Sequence, residues 1–312
     1  MNNSKIPLLS VLVLSYNHER YIQECIRSIW EQDYTYIEIL VLDDGSSDNT
    51  LSIAIDMIRQ SPFDMRVFDQ SNSGLPALNF NRMASLAKGD LFAFIAADDK
   101  FVKDSLSHLV NIVIKNRDVH LVYSNGFIWK SNDDSELSLV HSDKIVNILK
   151  KQDPKIIYDY ITSDISPFYI QSCIVSKELF FNVSGFDEKL LADDWVFNIR
   201  IFSYLYNNNK SFYFLNTPIF YYRLHDSNLH KNFNKMIELT YQVSNKYFSS
   251  GYKKKYVIAR VFSNAILFHL KNKNINLAFE FFLDKKNPKI LCFLLITKRL
   301  IHKSINRLVL TF

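Results

Sequence analysis

The sequence has few of the residues that mark disulfide-rich or disordered proteins. Its 312 residues include only six Gly and seven Pro, and 48% are apolar, which favours a packed globular protein. The three cysteines, Cys25, Cys173 and Cys292, show no C-x-x-C spacing and leave an odd number. This pattern excludes a disulfide framework and a zinc cluster and favours a reducing compartment. We therefore predict a cytoplasmic protein.

The chain also lacks a hydrophobic run of the roughly 18 residues that a membrane-spanning helix needs. The nearest candidate, Ile290 to Ile296, is followed at once by Thr-Lys-Arg. The apolar stretch from Leu8 to Ser15 is too short for a signal peptide and has no small-residue cleavage site after it. It predicts a buried strand instead.

Charge is unevenly distributed along the chain. Residues 251–312 hold 13 Lys and Arg against two acids, so that this segment carries +11 and the preceding 250 residues carry −6. The asymmetry predicts an acidic part that holds the functional site and a basic region that binds an anionic surface.

Apolar runs and amphipathic stretches alternate over the first hundred residues, which predicts a doubly wound, mainly parallel α/β sheet with helices on both faces. Strands are predicted at residues 8–14, 37–42, 65–68 and 91–96. Asn17 and Asp48 are predicted to cap the helices that follow them, and a third helix is predicted over residues 75–88. Sheets of this class bind ligands outside the carboxyl ends of their strands.

The pattern loosens beyond residue 119. Strands are predicted at 119–124, 126–130, 170–175, 212–215 and 219–222, with a polar loop at 132–143 and a helix near 193–206. From residue 231 the sequence is helical and basic to its end. We therefore predict one α/β domain over residues 1–230 and a basic helical region over residues 231–312.

Two acidic pairs follow predicted strands, Asp43-Asp44 and Asp98-Asp99. The first pair is open to the interpretation that it merely caps the next helix, although the Ser-Ser-Asp that follows already supplies a cap. The second pair is open to the interpretation that it is a solvated surface pair. Adjacent carboxylates repel one another unless a cation offsets them, and a divalent metal is the natural partner.

Eight short motifs occur in a fixed order along residues 7–226, about 70% of the chain. They are Ser10–Asn17, Ile39–Thr50, Asn72–Gly74, Ala87–Asp90, Phe94–Asp99, Gly185–Asp187, Asp193–Trp195 and Tyr221–His225. Together they resemble the landmarks of glycosyltransferase family 2, and among its members the bacterial surface-polysaccharide and O-antigen transferases. The resemblance implies a GT-A fold and inverting transfer of a sugar from a nucleotide diphosphate donor to a glycan hydroxyl.

The resemblance also implies which residues bind the donor. Asp44 accepts a hydrogen bond from the base imide, which favours a uridine nucleotide, and Leu14, Ser15 and Tyr16 line the same pocket. Arg223 reaches the donor diphosphate.

A divalent metal, Mn²⁺ or Mg²⁺, is implied as the cofactor. Asp98, Asp99 and His225 are its implied ligands, and Asp98 also counts among the donor-binding residues. Ala96 stands where the family pattern has its first Asp, so that the ribose contact often made there is in question. The remaining histidines, such as His18 and His108, have no ligand-like spacing and are interpreted as structural.

On the acceptor side, Asp193-Asp194-Trp195 resembles the family's E-D-W motif. The resemblance makes Asp194 the general base, with Asp193 and Trp195 in contact with the acceptor. The alternative is that both acids only favour the positive end of a helix dipole.

Two other functions remain open. A nucleotidyltransferase would carry a Gly-rich basic loop after its first strand, which Ser15–Glu19 is not. A non-catalytic relative that binds sugar nucleotides, or that acts as a scaffold in a polysaccharide complex, is suggested by Ala96 but opposed by Asp44, Asp98 and Asp194. No nucleic-acid module is recognisable. The expected acceptor is a lipid-diphosphate-linked saccharide. The basic region is open to two interpretations, attachment to the anionic inner face of the cytoplasmic membrane or simple packing on the domain with solvated lysines.

Overall fold

The computed structural model describes residues 6–130, 133–163, 168–190, 193–224 and 233–309. The chain forms two compact units, one of residues 1–158 and 166–226 and the other of residues 159–165 and 227–312. A nine-stranded mixed sheet organises the first unit. Over the described ranges, no helix combines the length and the apolar character that crossing a bilayer demands.

The first half of the sheet is parallel and buried. Its strands are β1 (Leu9–Ser15), β2 (Ile37–Asp43), β3 (Asp64–Asp69) and β4 (Leu91–Ala96). They lie in the order β3-β2-β1-β4, and every residue of β2 is buried, as expected for parallel strands that are covered on both faces. The four strands predicted from apolar runs are confirmed, with ends that shift by at most one residue.

Three helices cover this half: α1 (Ile22–Trp30), α2 (Thr50–Ile58) and α3 (Pro76–Leu86). The buried side of α1 is an apolar stripe at helical spacing. Asn17 is not the cap that the sequence predicts, because α1 begins only at Ile22. The backbone of Asn17 has a φ of 55°, and its Oδ1 accepts a hydrogen bond from the N–H of Ser47 at 2.8 Å. Asn17 therefore ties the loop after β1 to the loop after β2.

The second half of the sheet is mixed. Its strands are β5 (Lys100–Phe101), β6 (Val119–Lys130), β7 (Asp133–Leu139), β8 (Cys173–Ser176) and β9 (Ser211–Leu224). Strand β8 runs antiparallel to β4 and to β6, whereas β6 and β9 are parallel. Lys100 of β5, which follows β4 closely, pairs with Tyr221 of β9. The carboxyl end of β4 therefore lies beside the carboxyl end of β9.

Several predictions for this half are wrong in detail. Residues 119–130 form one strand rather than two, and so do residues 211–224. The two strands pair with each other along their length, with shifts in register where the apolar pattern is interrupted. The strand predicted from residue 170 begins at Cys173, after a 3₁₀ turn. The predicted polar loop contains β7, which pairs with β6. Backbone pairing at the side of a sheet does not require apolar side chains, so polarity misled the prediction.

The remaining helices of the first unit are α4 (Leu106–Lys115), α5 (Asp143–Leu149), α7 (Lys177–Asn182) and α8 (Asp193–Asn207). Helix α6 (Pro154–Ile161) begins in the first unit, and its last residues, from 159 onward, belong to the second. Helix α8 confirms the helix predicted near 193–206. The second unit contains α9 (Phe233–Tyr247), α10 (Gly251–Lys271), α11 (Ile275–Leu283) and α12 (Lys289–Val309). Its core includes Phe262, Ala278 and Cys292, and the helical character predicted beyond residue 231 is confirmed over the described part.

Candidate active site

The polar loops after β1, β2 and β4 lie side by side. The N–H of Asp44 donates to the carbonyl oxygen of Ser15 at 2.9 Å, and the N–H of Ala97 donates to that of Leu14 at 2.9 Å. Because β1 pairs with both β2 and β4, the acidic pairs that follow β2 and β4 lie on either side of the loop after β1.

Asp43 organises this edge of the sheet. Its carboxylate accepts hydrogen bonds from the hydroxyl of Ser15 at 3.0 Å and from the N–H and hydroxyl of Ser46 at 2.8 and 2.6 Å. The side chain of Ser15 is completely buried, and its predicted place in the lining of the nucleotide pocket stays a prediction. Leu14 is half-buried, whereas the ring of Tyr16 is exposed.

Asp44 is held by the loop after β3. Its carboxylate oxygens accept four hydrogen bonds, from Gln70 Nε2 at 2.6 Å, from the N–H and hydroxyl of Ser73 at 2.8 and 3.1 Å, and from the N–H of Gly74 at 3.1 Å. Burial alone would raise the pKa of Asp44, but these bonds outweigh it and hold the pKa below its ordinary value. A carboxylate has about four acceptor sites. A nucleotide base therefore reaches Asp44 only by replacing one of these donors.

Asp98 and Asp99 have different environments although they are adjacent. Asp99 is 2% exposed and accepts hydrogen bonds from Gln171 Nε2 at 2.7 Å and from the N–H of Arg223 at 2.9 Å. Burial and the charge of Asp98 raise the pKa of Asp99 well above its ordinary value. Both carboxylate oxygens of Asp99 accept hydrogen bonds from protein donors, and its predicted role as a metal ligand stays a prediction.

The side chain of Asp98 keeps 14% of its surface exposed, and its Oδ2 lies 3.9 Å from Nε2 of His18. Of the two adjacent acids, Asp98 is the one that a ligand can reach. The sequence analysis set His18 aside as structural because its spacing carries no ligand signal. The loop after β1 nevertheless brings it to the predicted metal ligand.

Arg223 lies inside the protein and is only 4% exposed. Its Nε donates to the main-chain carbonyl oxygen of Asp98 at 2.7 Å, and its Nη2 donates to Glu24 at 2.5 Å. The guanidinium carbon lies 4.1 Å from the ring centroid of Trp129 and 4.6 Å from that of Tyr21. The predicted contact of Arg223 with the donor diphosphate stays a prediction. In this structure the side chain holds the main-chain carbonyl group of Asp98.

Glu24 joins Arg223 to a second cation. Its other oxygen lies 2.8 Å from Nζ of Lys100, which in turn lies 4.0 Å from the ring centroid of Trp129. Burial would raise the pKa of Glu24, but hydrogen bonds from Lys100 and Arg223 hold it below the ordinary value. Sequence analysis missed Glu24 and Lys100, because a charged residue on a helix or beside a strand usually marks only a solvated surface.

The predicted general base is near the start of α8, as the second residue of that helix. Burial raises the pKa of Tyr169 to about 12, and the charges of Asp194 and Asp99 add to the rise. The pKa of Tyr222 is raised by burial and by Tyr169, and then by Asp99, Asp98 and Asp194. The two tyrosine rings lie 4.8 Å apart. Tyr222 is therefore the ring on which the charges of Asp99, Asp98 and Asp194 all act.

The other predicted acceptor and metal residues are less well placed or lie outside the described part. Trp195 is only 4% exposed, and its predicted contact with the acceptor stays a prediction. Asp193 begins α8, but its side chain is outside the described part, as is the whole of His225. Within the described ranges, no group of three or more His, Cys, Asp and Glu side chains forms a metal site. A partly exposed carboxylate such as that of Asp98 does fit Mg²⁺ or Mn²⁺, which take oxygen ligands and retain water and phosphate oxygens.

Sequence comparison assigns the family. The family model described as Glycosyl transferase family 2 matches residues 10–180, more than half of the 312 residues. An uncharacterized glycosyltransferase of Haemophilus influenzae is 30% identical over 145 residues, which are 46% of this chain and 56% of that protein. The putative glycosyltransferase EpsH of Bacillus subtilis is 27% identical over 235 residues, which are 74% of this chain and 65% of that protein. The chain therefore spans less than two thirds of the length of either relative.

Solved structures share the fold. TarS 1-349 of S. aureus, in complex with UDP-GlcNAc, has a TM-score of 0.57 at 21% identity. The match covers 91% of this chain and 82% of the TarS chain. The mannosyltransferase PcManGT from Pyrobaculum calidifontis, in complex with GDP-Man and Mn²⁺, has a TM-score of 0.55 at 18% identity. The match covers 88% of this chain and 74% of PcManGT. At these identities the likeness establishes the fold alone, and the predicted GT-A fold is confirmed. From its matched sequence and its fold together, the chain belongs to glycosyl transferase family 2.

Proposed function

We propose that the protein is an inverting glycosyltransferase that moves a sugar from a nucleotide diphosphate donor to a hydroxyl group of a glycan acceptor. The observation that carries the proposal is the placement of Asp98, whose carboxylate is partly exposed at the carboxyl end of β4, beside the loops that follow β1 and β2. The reaction needs a donor site and a base for the acceptor, and we assign these roles to Asp98 and to Asp194.

The donor is proposed to be a sugar nucleotide, most simply one of uridine. The two structural neighbours hold UDP-GlcNAc and GDP-Man, which supports a nucleoside diphosphate sugar. The imide N–H of uracil is proposed to bind Asp44 in place of the side-chain amide of Gln70. The exposed ring of Tyr16 offers a flat apolar surface beside this position.

A divalent metal, Mn²⁺ or Mg²⁺, is proposed to bind at Asp98, with His225 as a second ligand. When bound, it supplies a positive charge that stabilises the diphosphate as the leaving group departs. The Mn²⁺ held by PcManGT supports this cofactor. The chain's own contribution is to hold the Asp98 peptide through Arg223 at 2.7 Å, so that the carboxylate is oriented before the donor binds.

Asp194 is proposed to act as the general base. Its carboxylate takes the proton of the acceptor hydroxyl while that oxygen attacks the anomeric carbon from the face opposite the diphosphate. The new C–O bond forms as the bond from the anomeric carbon to the diphosphate oxygen breaks, so the configuration inverts and the nucleoside diphosphate leaves. Asp193 is proposed to orient the acceptor.

The acceptor is proposed to be a lipid-diphosphate-linked saccharide in bacterial surface polysaccharide synthesis, extended at the inner face of the cytoplasmic membrane. The basic residues of the last 62 positions, 13 against two acids, support an anionic membrane as the place of reaction. In this proposal residues 1–230 carry out the chemistry, and residues 231–312 keep the enzyme near its acceptor.

A screen of nucleotide sugars for release of nucleoside diphosphate, with Mn²⁺, with Mg²⁺ and with a chelator, tests the proposal. We expect release from one nucleotide class, dependent on metal and abolished by Asp98→Asn. The matched control is Asp69→Asn, an exposed acid at the end of β3. Binding of a sugar nucleotide without any release, in the presence of a glycan acceptor mixture, would instead favour the non-catalytic relative that Ala96 suggests.

A further inference from the structure

Six large apolar side chains are exposed on two consecutive helices of the second unit. They are Ile275, Phe279 and Leu283 on α11, and Ile290, Phe293 and Leu294 on α12. All are between 51% and 80% exposed. Their spacing of three and four residues places each set on one face of its helix. Single exposed apolar residues are ordinary, but a stripe on each of two successive helices marks an interaction surface.

These six side chains are not among the described core residues of this unit. Helix α11 contributes Ala278, Phe281 and Phe282 to that core, and α12 contributes Leu291, Cys292, Leu295 and Ile296. Leu291 and Leu295 are apolar neighbours of the exposed residues of α12. The structure shows that they pack inward, and that the outward face is formed by their neighbours in the helix.

Basic residues border the two stripes. Lys285 and Lys289 are exposed between the stripes, at the connection from α11 to α12. Lys286 lies there too and pairs with Glu238 at 2.5 Å. Between residues 271 and 299 the sequence holds seven Lys and Arg against two acids, Glu280 and Asp284. An apolar face with a basic border has the chemistry of a helix that lies in a lipid headgroup layer.

We propose that the exposed stripes of α11 and α12, with Lys285 and Lys289 between them, form a docking surface for an anionic phospholipid bilayer. The apolar side chains enter the boundary between headgroups and acyl chains, and the ammonium groups lie among the lipid phosphates. The charge is what selects this occupant, because a neutral apolar partner would leave the lysines desolvated without a counter-charge. The inference rests on the proposed function only in its purpose, which is to hold the enzyme beside a lipid-linked acceptor.

Sedimentation of the full chain with lipid vesicles tests the surface without donor or acceptor. We expect binding to vesicles of phosphatidylcholine with about one third phosphatidylglycerol at low salt, weaker binding at high salt because the charges are screened, and little binding to phosphatidylcholine alone. Removing one basic residue is expected to weaken binding about fivefold at low salt. The double variant Lys285→Glu and Lys289→Glu should therefore lose most of its binding to the anionic vesicles.

The apolar contribution is tested by Phe279→Asn combined with Phe293→Asn, which is also expected to abolish sedimentation. Both phenylalanines are more than half exposed, so folding should not depend on them. Matched controls in the first unit are Lys150→Glu with Lys151→Glu, which are exposed, and Ile55→Asn with Leu86→Asn, which are 48% and 41% exposed. The control variants are expected to bind like the unmodified protein.

Three results would overturn the proposal: no binding to the anionic vesicles, equal binding to neutral and anionic vesicles, or full binding by both surface variants. A dimer in solution that dissociates in the Phe279 and Phe293 variant would also overturn it, because the surface would then belong to a second copy of the chain. Donor hydrolysis by the same proteins without vesicles separates this inference from the proposed function. Vesicle binding without donor hydrolysis would reject the proposed function and support the docking surface. Donor hydrolysis without vesicle binding would support the proposed function and reject the docking surface.

Discussion

The Nε–H of Arg223 donates a hydrogen bond to the main-chain carbonyl oxygen of Asp98 at 2.7 Å, across a sequence separation of 125 residues. The main-chain N–H of the same arginine binds Asp99 Oδ1 at 2.9 Å. One residue near the end of β9 therefore holds both members of the acidic pair after β4. Asp99 is fixed in the interior by this contact, and Asp98 is left to face the site.

Replacing Arg223 by Lys should loosen this arrangement while keeping a positive charge. A single ammonium group does not reproduce the fork that contacts both Asp98 and Glu24. We expect the metal concentration for half-maximal donor hydrolysis to rise roughly tenfold or more, in line with the loss of a charge-assisted hydrogen bond. Arg117→Lys, at an exposed position, is the control. A rise confined to the KM for the donor would instead place Arg223 on the diphosphate.

Glu24 gives the same cluster a dependence on pH. Hydrogen bonds from Lys100 and Arg223 hold its pKa below the ordinary value of 4.5 in the folded protein. Its ionised form therefore contributes stability above pH 4.5, and that contribution is lost as the pH falls through the folded-state pKa. We expect Glu24→Gln to lower the thermal midpoint at pH 7 and the difference from the unmodified protein to shrink below pH 4.5. The exposed Glu31→Gln should show no such difference at either pH.

Asp98→Asn should remove most metal-dependent transfer without unfolding the protein. The substitution deletes an anionic ligand but keeps the size of a side chain that is partly exposed. Turnover as a function of Mn²⁺ concentration is the measurement, with a thermal melt to confirm folding. Near-normal turnover at low metal would show that Asp98 does not bind the metal.

Asp194→Asn should lower turnover by about 10² or more, the usual contribution of a general base, with little change in donor affinity. The amide keeps the shape of the carboxylate but cannot take the acceptor proton. Turnover with acceptor and equilibrium binding of the donor are measured on the same protein, and Asp56→Asn, an exposed acid on α2, is the control. A parallel loss of donor binding would place Asp194 on the nucleotide side.

Gly45→Ala should destabilise the loop that carries Asp44. Gly45 has a φ of 72°, and a Cβ there would lie 2.5 Å from the main-chain N of Asn72 and 3.0 Å from the carbonyl oxygen of Gln70. We expect a loss of about 1 to 3 kcal/mol in the free energy of unfolding, measured by urea denaturation. Gly251→Ala, where nothing lies within 4 Å of the added Cβ, should leave stability nearly unchanged.

The fold could be predicted best where the strands are buried on both faces. Strands β1, β2 and β4 are short, mainly apolar segments bounded by polar loops, and such segments have few other stable arrangements. Prediction was poorest in the second half of the sheet. Strand β7 is polar, and β6 and β9 contain register shifts, so their pairing follows from their neighbours in space rather than from their own pattern.

For the site, the sequence by itself places Asp44 and Asp98 at the carboxyl ends of strands, because strand ends and turns are local features. Asp194, near the start of α8, was predicted from the resemblance of Asp193-Asp194-Trp195 to the family motif. Which acid of a pair is exposed is not local. Burial of Asp99 depends on Gln171 and on Arg223, which lie 72 and 124 residues away, and the orientation of Arg223 depends in turn on Glu24. The burial of Asp99 and the orientation of Arg223 follow from the tertiary structure, because the free energy of a buried charge depends on the hydrogen-bond donors that surround it.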